Sequence, residues 1–421
     1  MKSRLIFNFT HSFVFCMAET MFWLTSALKV RDLGGDTFSA GQTGLAYGLA
    51  NFLTPPLAGV LADRFGRKPT MVLFYLVLIG SCWYMPSVTE FPLFVGTVFL
   101  ITMGVNGVWP VFEAWLADRA RGSLAREMHF YNLGWAAGGA TGFLYAGITE
   151  QFGTGVSYRT IAIIAAGCLM VRLFMSDPPP HPDGPETAPQ EPEEPEEKAQ
   201  PVATLAAQGE DWEQLGSVWL AQLSVGFCYS LIGWVFPAQA ENIGFSAVSV
   251  GGLVSIVAWA QLVTFLALSG FIDWYRFVRW RVAFQLVAVG GFALVALGFY
   301  LVPGGTSPDP EGLTIPSALF AVAFVGLGIA VATAYAASLV VSLTKAAHRG
   351  AKTGIHHSLV GIGSVFAPFL AGYISVEIST SAAYLACIGL IGLALAGQWL
   401  LARAARESRA VAGVKGARSD R

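Results

Sequence analysis

Two carboxylates interrupt long apolar runs in this sequence, Glu19 near the middle of 5–29 and Glu113 near the end of 92–117. An ionised carboxylate in hydrocarbon costs about 2.5 kcal/mol or more. The cost falls away when the group takes up a proton or meets a cation, and no apolar run holds a central Lys or Arg. Glu19 is therefore read as a proton-coupling site or as a seat for a cationic solute. Its structural alternative is a permanently protonated, hydrogen-bonding Glu. Asn8, Ser12, Trp23 and Ser26 lie near its face, at steps of three, four or seven. A cleaner stripe runs Thr102, Asn106, Trp109, Glu113, at i, i+4, i+7 and i+11. Two more polar or aromatic stripes follow, Trp219, Gln222, Tyr229 and Phe236, then Tyr335, Ser338 and Ser342. A membrane helix turns such a stripe only toward protein or water.

The elements that carry these stripes are membrane spans. Of 421 residues, 54% are hydrophobic and 12% charged, with mean hydropathy +0.58. Soluble domains carry about 25% charged residues, so an apolar medium must be the solvent. A spanning helix needs about 20 apolar residues. The runs that qualify are 5–29, 40–62, 70–89, 92–117, 128–149, 156–176, 214–240, 247–272, 279–302, 313–343, 354–376 and 380–403. The expected fold class is all-α integral membrane, with 12 transmembrane helices. The net charge of −2 gives no reason to expect nucleic acid. Cys16, Cys82, Cys168, Cys228 and Cys387 lie in apolar runs without CxxC spacing and read as small core residues. His11, His356 and His357 have no metal-ligand spacing and read as packing or interface residues. Trp83, Tyr84, Trp212, Trp274 and Trp280 fit aromatic belts. No P-loop, nucleophile–base pair or metal cluster is visible, so neither an enzyme nor a cofactor is expected.

Positive charge sets the orientation. With both termini cytoplasmic, 22 of the 25 Lys and Arg fall inside and only Lys29, Arg31 and Arg159 outside. Residues 177–212 are rich in Pro and Glu and read as a cytoplasmic linker. They divide the chain into bundles at 1–176 and 213–404, six helices each, with a basic cytoplasmic tail at 405–421. The halves repeat weakly. Phe38-Ser39-Ala40 with Gly44 recurs as Phe245-Ser246-Ala247 with Gly251, and Gly138 with Gly147 recurs as Gly363 with Gly372. Two pseudo-symmetric six-helix bundles follow.

Between spans 2 and 3 stands Gly59-Val-Leu-Ala-Asp63-Arg64-Phe-Gly66-Arg67-Lys68. Its glycines permit close helix approach and a tight turn, and its basic residues hold the loop inside. This segment resembles the loop 2–3 signature G-x-x-x-D-R-x-G-R-K of the major facilitator superfamily at every defined position. The resemblance implies two bundles that rock about a central cavity lined by spans 1, 4, 7 and 10. Glu19, Asn8, Trp23, Asn106, Trp109, Glu113, Gln222, Tyr229, Tyr335 and Ser338 are then candidate cavity residues. Gly59, Asp63, Arg64, Gly66, Arg67 and Lys68 become gating residues, joined by Asp118 and Arg119 at the gate or the water interface. Glu113 belongs either to the cavity or to that gate. The equivalent loop of the second half keeps Asp273 and Arg276 but loses the glycine pattern. Span 5, Gly134-Trp-Ala-Ala-Gly138-Gly139-Ala-Thr-Gly142-Phe143, resembles the family's antiporter signature. It has Gly139 for the proline and Phe143 for the last glycine, and is read as close helix packing.

The resemblance implies a monomeric secondary transporter in the cell membrane, with a small organic solute, the lipid bilayer and protons as partners. The lack of central cations argues against strongly anionic solutes. Efflux of a drug-like or metabolic compound is the first expectation and uptake of a sugar-like solute the second. A non-transporting sensor or scaffold on the same fold is the alternative of another class.

Overall fold

The computed structural model describes residues 2–119, 124–174, 212–268, 278–302, 314–344 and 349–419. Six long helices form the first half: α1 (Lys2–Asp32), α2 (Thr37–Phe65), α3 (Arg67–Tyr84), α4 (Phe91–Arg119), α5 (Leu124–Glu150) and α6 (Thr154–Phe174). The second half has α7 (Trp212–Trp234), α8 (Ala247–Leu268), α9 (Val278–Tyr300), α10 (Ile315–Thr344), α11 (Arg349–Glu377) and α12 (Thr380–Ser419). After a break at Val235, α7 continues as a short outer segment, Phe236–Asn242. No strand occurs among the described residues.

Eleven of the candidate spans are long and apolar enough to cross a membrane. The helix outside that set is α5, which carries Glu127, His129 and Asn132 and five glycines. Its sequence is polar and small because protein, not lipid, covers much of it: α5 packs along α1 on one side and α8 on another. The apolar side chains left exposed on other helices, such as Val60, Ile163 and Leu393, form the surface that lipid must cover. Trp83, Tyr84 and Trp280 are exposed, as belt residues would be. The linker residues 177–211, Trp274 and the second-half loop with Asp273 and Arg276 lie outside the described residues. Through the basic tail the backbone of α12 stays helical to Ser419.

The halves meet in two crossings, α2 with α11 and α5 with α8. Both are made by glycine. A Cβ on Gly44 would strike Pro368, and one on Gly41 would stand 2.6 Å from the Pro368 carbonyl oxygen. In the second crossing a Cβ on Gly251 would stand 2.7 Å from the Phe143 carbonyl oxygen and 3.1 Å from the Gly147 Cα. These contacts obey the weak repeat of the sequence. Gly44 corresponds to Gly251, and Phe143 follows Gly138 by five residues as Pro368 follows Gly363. Each half also holds its own crossing helix to its cavity helix in the same way. Gly134, Gly138 and Gly142 lie on the α1 backbone at Phe9, Phe13 and Met17, and Gly363 lies on α7 at Gly226 and Phe227. Span 5 is thus a packing stripe, in line with small-residue helix association in membranes.

Short loops fix the helix ends. Asp36 opens α2 by accepting hydrogen bonds from the Ser39 backbone N–H (2.8 Å) and hydroxyl (2.9 Å). Partial burial pushes its carboxyl up, but the bonds from Ser39 outweigh that and hold it below the usual range. Cys16, Cys82, Cys168 and Cys387 are free and buried.

Gly138→Val is expected to lower the thermal unfolding midpoint in detergent, by overpacking that costs about 1–3 kcal/mol. Gly59→Ala, where a Cβ meets nothing within 4 Å, is expected to leave it unchanged. Equal effects of the two would mean that α1 and α5 are not in backbone contact.

Candidate substrate and proton site

Burial alone would make Glu19 unfavourable, so its surroundings decide what it can do. The Trp109 indole donates to Glu19 Oε2 at 2.9 Å, and both side chains are buried. This bond joins α1 to α4 and unites two residues that the stripes had marked separately. The Trp109 ring also meets Phe15 edge-on at 4.8 Å and Tyr131 edge-on at 5.6 Å. Tyr131, on α5, donates its hydroxyl to Glu113 at 2.7 Å. Glu113 is one turn from Trp109, and the second half's Tyr335 lies within electrostatic reach of both carboxylates. Among the described side chains, Glu113 thus meets the interior residues Tyr131 and Tyr335. An array therefore runs Glu19–Trp109–Tyr131–Glu113 along the inner face of the first half.

The other half supplies the facing wall. Trp23, one turn beyond Glu19, packs on Tyr229 of α7 at 5.3 Å and on Tyr47 of α2 at 4.9 Å. Tyr229 and Tyr47 both lie within electrostatic reach of Glu19. Beyond Trp23 the space is closed by Trp234, which contacts Tyr47 at 5.2 Å and Phe22 at 6.1 Å. Still further out, Arg31 of α1 pairs with Glu241 at 3.7 Å, and Asn242 donates to Thr37 at 3.4 Å. A further contact between the halves is made by Trp135 of α5, which stacks on Tyr335 of α10, 5.6 Å between centroids and 10° between planes.

Several buried polar atoms in this region have no hydrogen-bond partner among the described residues: the Trp23 indole N–H, the Asn106 amide nitrogen and the Gln222 amide oxygen. A buried polar group without a partner costs about 1–3 kcal/mol. Asn106 and Gln222 belong to the predicted stripes.

Other candidates are turned elsewhere. Asn8 joins Arg4 in binding Glu127 at the start of α5. Asn8 is eleven residues from Glu19 along α1, which at 1.5 Å per residue is about 16 Å. It is a clamp at the helix ends and not a neighbour of Glu19. Ser12 bonds back to the Asn8 carbonyl, and Ser26 pairs with Tyr158 of α6 at 2.7 Å. Ser338 holds His356 Nδ1 at 2.8 Å, tying α10 to α11, and the ring of His356 lies edge-on to Tyr335 at 4.9 Å. His11 is buried against Tyr75 at 3.1 Å. Sequence reasoning missed Tyr47, Tyr131, Trp135 and Cys16. Cys16 shares the face of Glu19, three residues earlier, and that spacing could have marked it. Tyr47, Tyr131 and Trp135 lie on helices other than the four expected to line the cavity, and nothing in their local sequence distinguishes them.

At the loop 2–3 motif, Gly66 has φ +93°, a backbone region that L side chains rarely adopt. Arg67 at the start of α3 reaches back across the Gly66 turn to Asp63 near the end of α2 at 3.6 Å, and Lys68 donates to the Leu173 carbonyl at the end of α6 at 2.6 Å. Arg64 lies over the Phe65 ring at 5.4 Å. Only part of the glycine expectation holds here: Gly66 makes the turn, but no helix approaches Gly59. The side chains of Asp118 and Arg119 lie outside those described.

A family model described as the Major Facilitator Superfamily matches residues 9–309 and 218–420. A protein of Bacillus subtilis (strain 168) assigned to niacin/nicotinamide transport, NiaP, is 24% identical over 290 residues, and the match spans 64% of each chain. Among solved structures, a bacterial homologue of the human lysosomal transporter Spinster, inward-facing and unoccupied, superposes with TM-score 0.65 at 16% identity. It covers 96% of this chain and 97% of its own. The nucleoside transporter NupG gives TM-score 0.66 at 12% identity, over 94% of this chain and 98% of its own.

A double-mutant cycle of Glu19→Gln with Trp109→Phe is expected to give a coupling of about 0.5–3 kcal/mol in thermal stability. Simple additivity would mean that the indole–carboxyl bond is absent from the protein in its membrane.

Proposed function

The chain belongs to the major facilitator superfamily of transporters, and on that premise we propose that it moves a small organic solute across the cell membrane by alternating access, with Glu19 carrying the coupled proton. The observation that carries this reading is the Trp109–Glu19 bond between aromatic walls drawn from both halves. A lone carboxyl in such a place can exchange a proton or a cation as the walls separate, because either exchange removes the cost of an isolated charge. Glu113, held by Tyr131, is the second group along the same array.

Walls built mainly of indole and phenol rings, with acids and, among the described residues, no cation beside them, suit a planar, neutral or cationic solute better than a sugar. A ring stacks on indole and phenol faces, and a cation gains from their negative quadrupoles. The resemblance to a protein assigned to niacin/nicotinamide transport supports a small nitrogen heterocycle. Both termini face the cytoplasm in this reading, which follows the distribution of Lys and Arg. The protein acts as a monomer. Asp63, Arg64, Gly66, Arg67 and Lys68 serve the conformational gate, with Asp118 and Arg119 beside them.

Proteoliposome flux tests the reading. Glu19→Gln is expected to abolish solute flux driven by a pH gradient while the protein still folds and inserts. Unchanged pH dependence in that variant would remove Glu19 from the coupling. Absence of any solute-dependent flux in wild type would favour a sensor or scaffold. Gly66→Ala forces an alanine into a glycine conformation. It is expected to slow turnover at least severalfold while solute affinity is kept, and an unchanged rate would remove the loop from the gate.

A further inference from the structure

Gln261 of α8 is 1% exposed; its amide oxygen closes no hydrogen bond with a described residue, and its amide nitrogen has only the Tyr229 hydroxyl beside it, in loose geometry. Its position is fixed by its neighbours on the same helix face. Ala258, Gln261 and Phe265 follow i, i+3, i+7. Ala258 meets Gly139 of α5 at the point where Cys16 and Thr20 of α1 also converge. Phe265 packs with Ala136 of α5. Gln261 therefore stands between them, on the side of α8 that faces the first half, with its amide beside the Tyr229 hydroxyl. Tyr229 touches Trp23 and lies within reach of Glu19.

A buried amide whose oxygen is open, and whose nitrogen meets only a phenol of the same wall, asks for one donor and one acceptor at once. A primary carboxamide offers that pair. A carboxylate offers acceptors only: it would satisfy the amide nitrogen, set negative oxygen against the amide oxygen, and share the chamber with Glu19. We propose that Gln261 is a specificity residue that reads a carboxamide on the solute, so that the transported class is a small aromatic nitrogen heterocycle bearing an uncharged amide rather than its carboxylic acid. This inference rests on the reading of the chamber as the solute site.

Binding of nicotinamide, niacin and 3-methylpyridine to the purified full-length protein, by calorimetry in detergent, tests it. Wild type is expected to bind nicotinamide at least about tenfold tighter than either other probe. Gln261→Leu is expected to lose that preference while still binding 3-methylpyridine. Its ligand-free melting point should equal or exceed that of wild type, because a buried amide without a well-formed hydrogen bond has been removed. A lower melting point, rescued by Gln261→Asn, would mean that the amide is bonded inside the protein and would overturn the proposal. Tighter binding of niacin than nicotinamide, or a preference that survives Gln261→Leu, would also overturn it. So would a wild type that binds none of the three. Proton-driven flux through Glu19, measured separately, then decides whether the transport reading stands without this solute class.

Discussion

The structure depends on how closely two pairs of helices approach each other, α2 with α11 and α5 with α8. In hydrocarbon there is little hydrophobic gain in bringing helices together, so association rests on van der Waals contact. Contact of that kind falls off steeply with distance, and glycine at Gly41, Gly251 and Gly147 is what lets the backbones touch. Because α5 also lies on α1, and α11 on α7, the crossings set where the cavity helices stand. Trp23 meets Tyr229, and Tyr47 meets Trp234, as a consequence.

Polar groups are distributed according to the same division. Inside the second half, Arg281 donates to Ser217, Ser217 to Gln398, Gln398 to Gln285, and Gln285 to Ser224, a chain of buried bonds joining α7, α9 and α12. The first half holds His11 on Tyr75 and Arg172 over the Trp115 ring at 4.9 Å. Chains of buried hydrogen bonds stiffen the elements they join. At the interface between the halves, the Trp23 indole N–H and the Gln261 amide oxygen are buried without a hydrogen-bond partner among the described residues.

Glu19 lies beside that interface, within electrostatic reach of Tyr229. One hydrogen bond from Trp109 orients it without neutralising it, and the surrounding walls are aromatic. Aromatic rings stack tightly yet separate without leaving broken hydrogen bonds behind, apart from the Tyr and Trp heads. Among the described residues, charge crosses between the halves in the outermost layer, at Arg31 and Glu241.

Sequence by itself determined the class and the plan. Low charge and long apolar runs left only a membrane protein of many helices, and the lopsided Lys and Arg count and the segment from Gly59 to Lys68 pointed to one family. Glu19, Trp109 and Glu113 were legible because a carboxyl or a polar stripe in hydrocarbon is costly enough to stand out. The tertiary structure decided which of them meet. It joined Glu19 to Trp109 and Glu113 to Tyr131, took Asn8 away to a clamp on Glu127, and brought in Tyr47, Tyr131, Trp135 and Gln261 from the crossing helices. Spacing along one helix says which residues share a face. Which face meets which depends on contacts between helices far apart in the chain, and those are set by the glycine crossings.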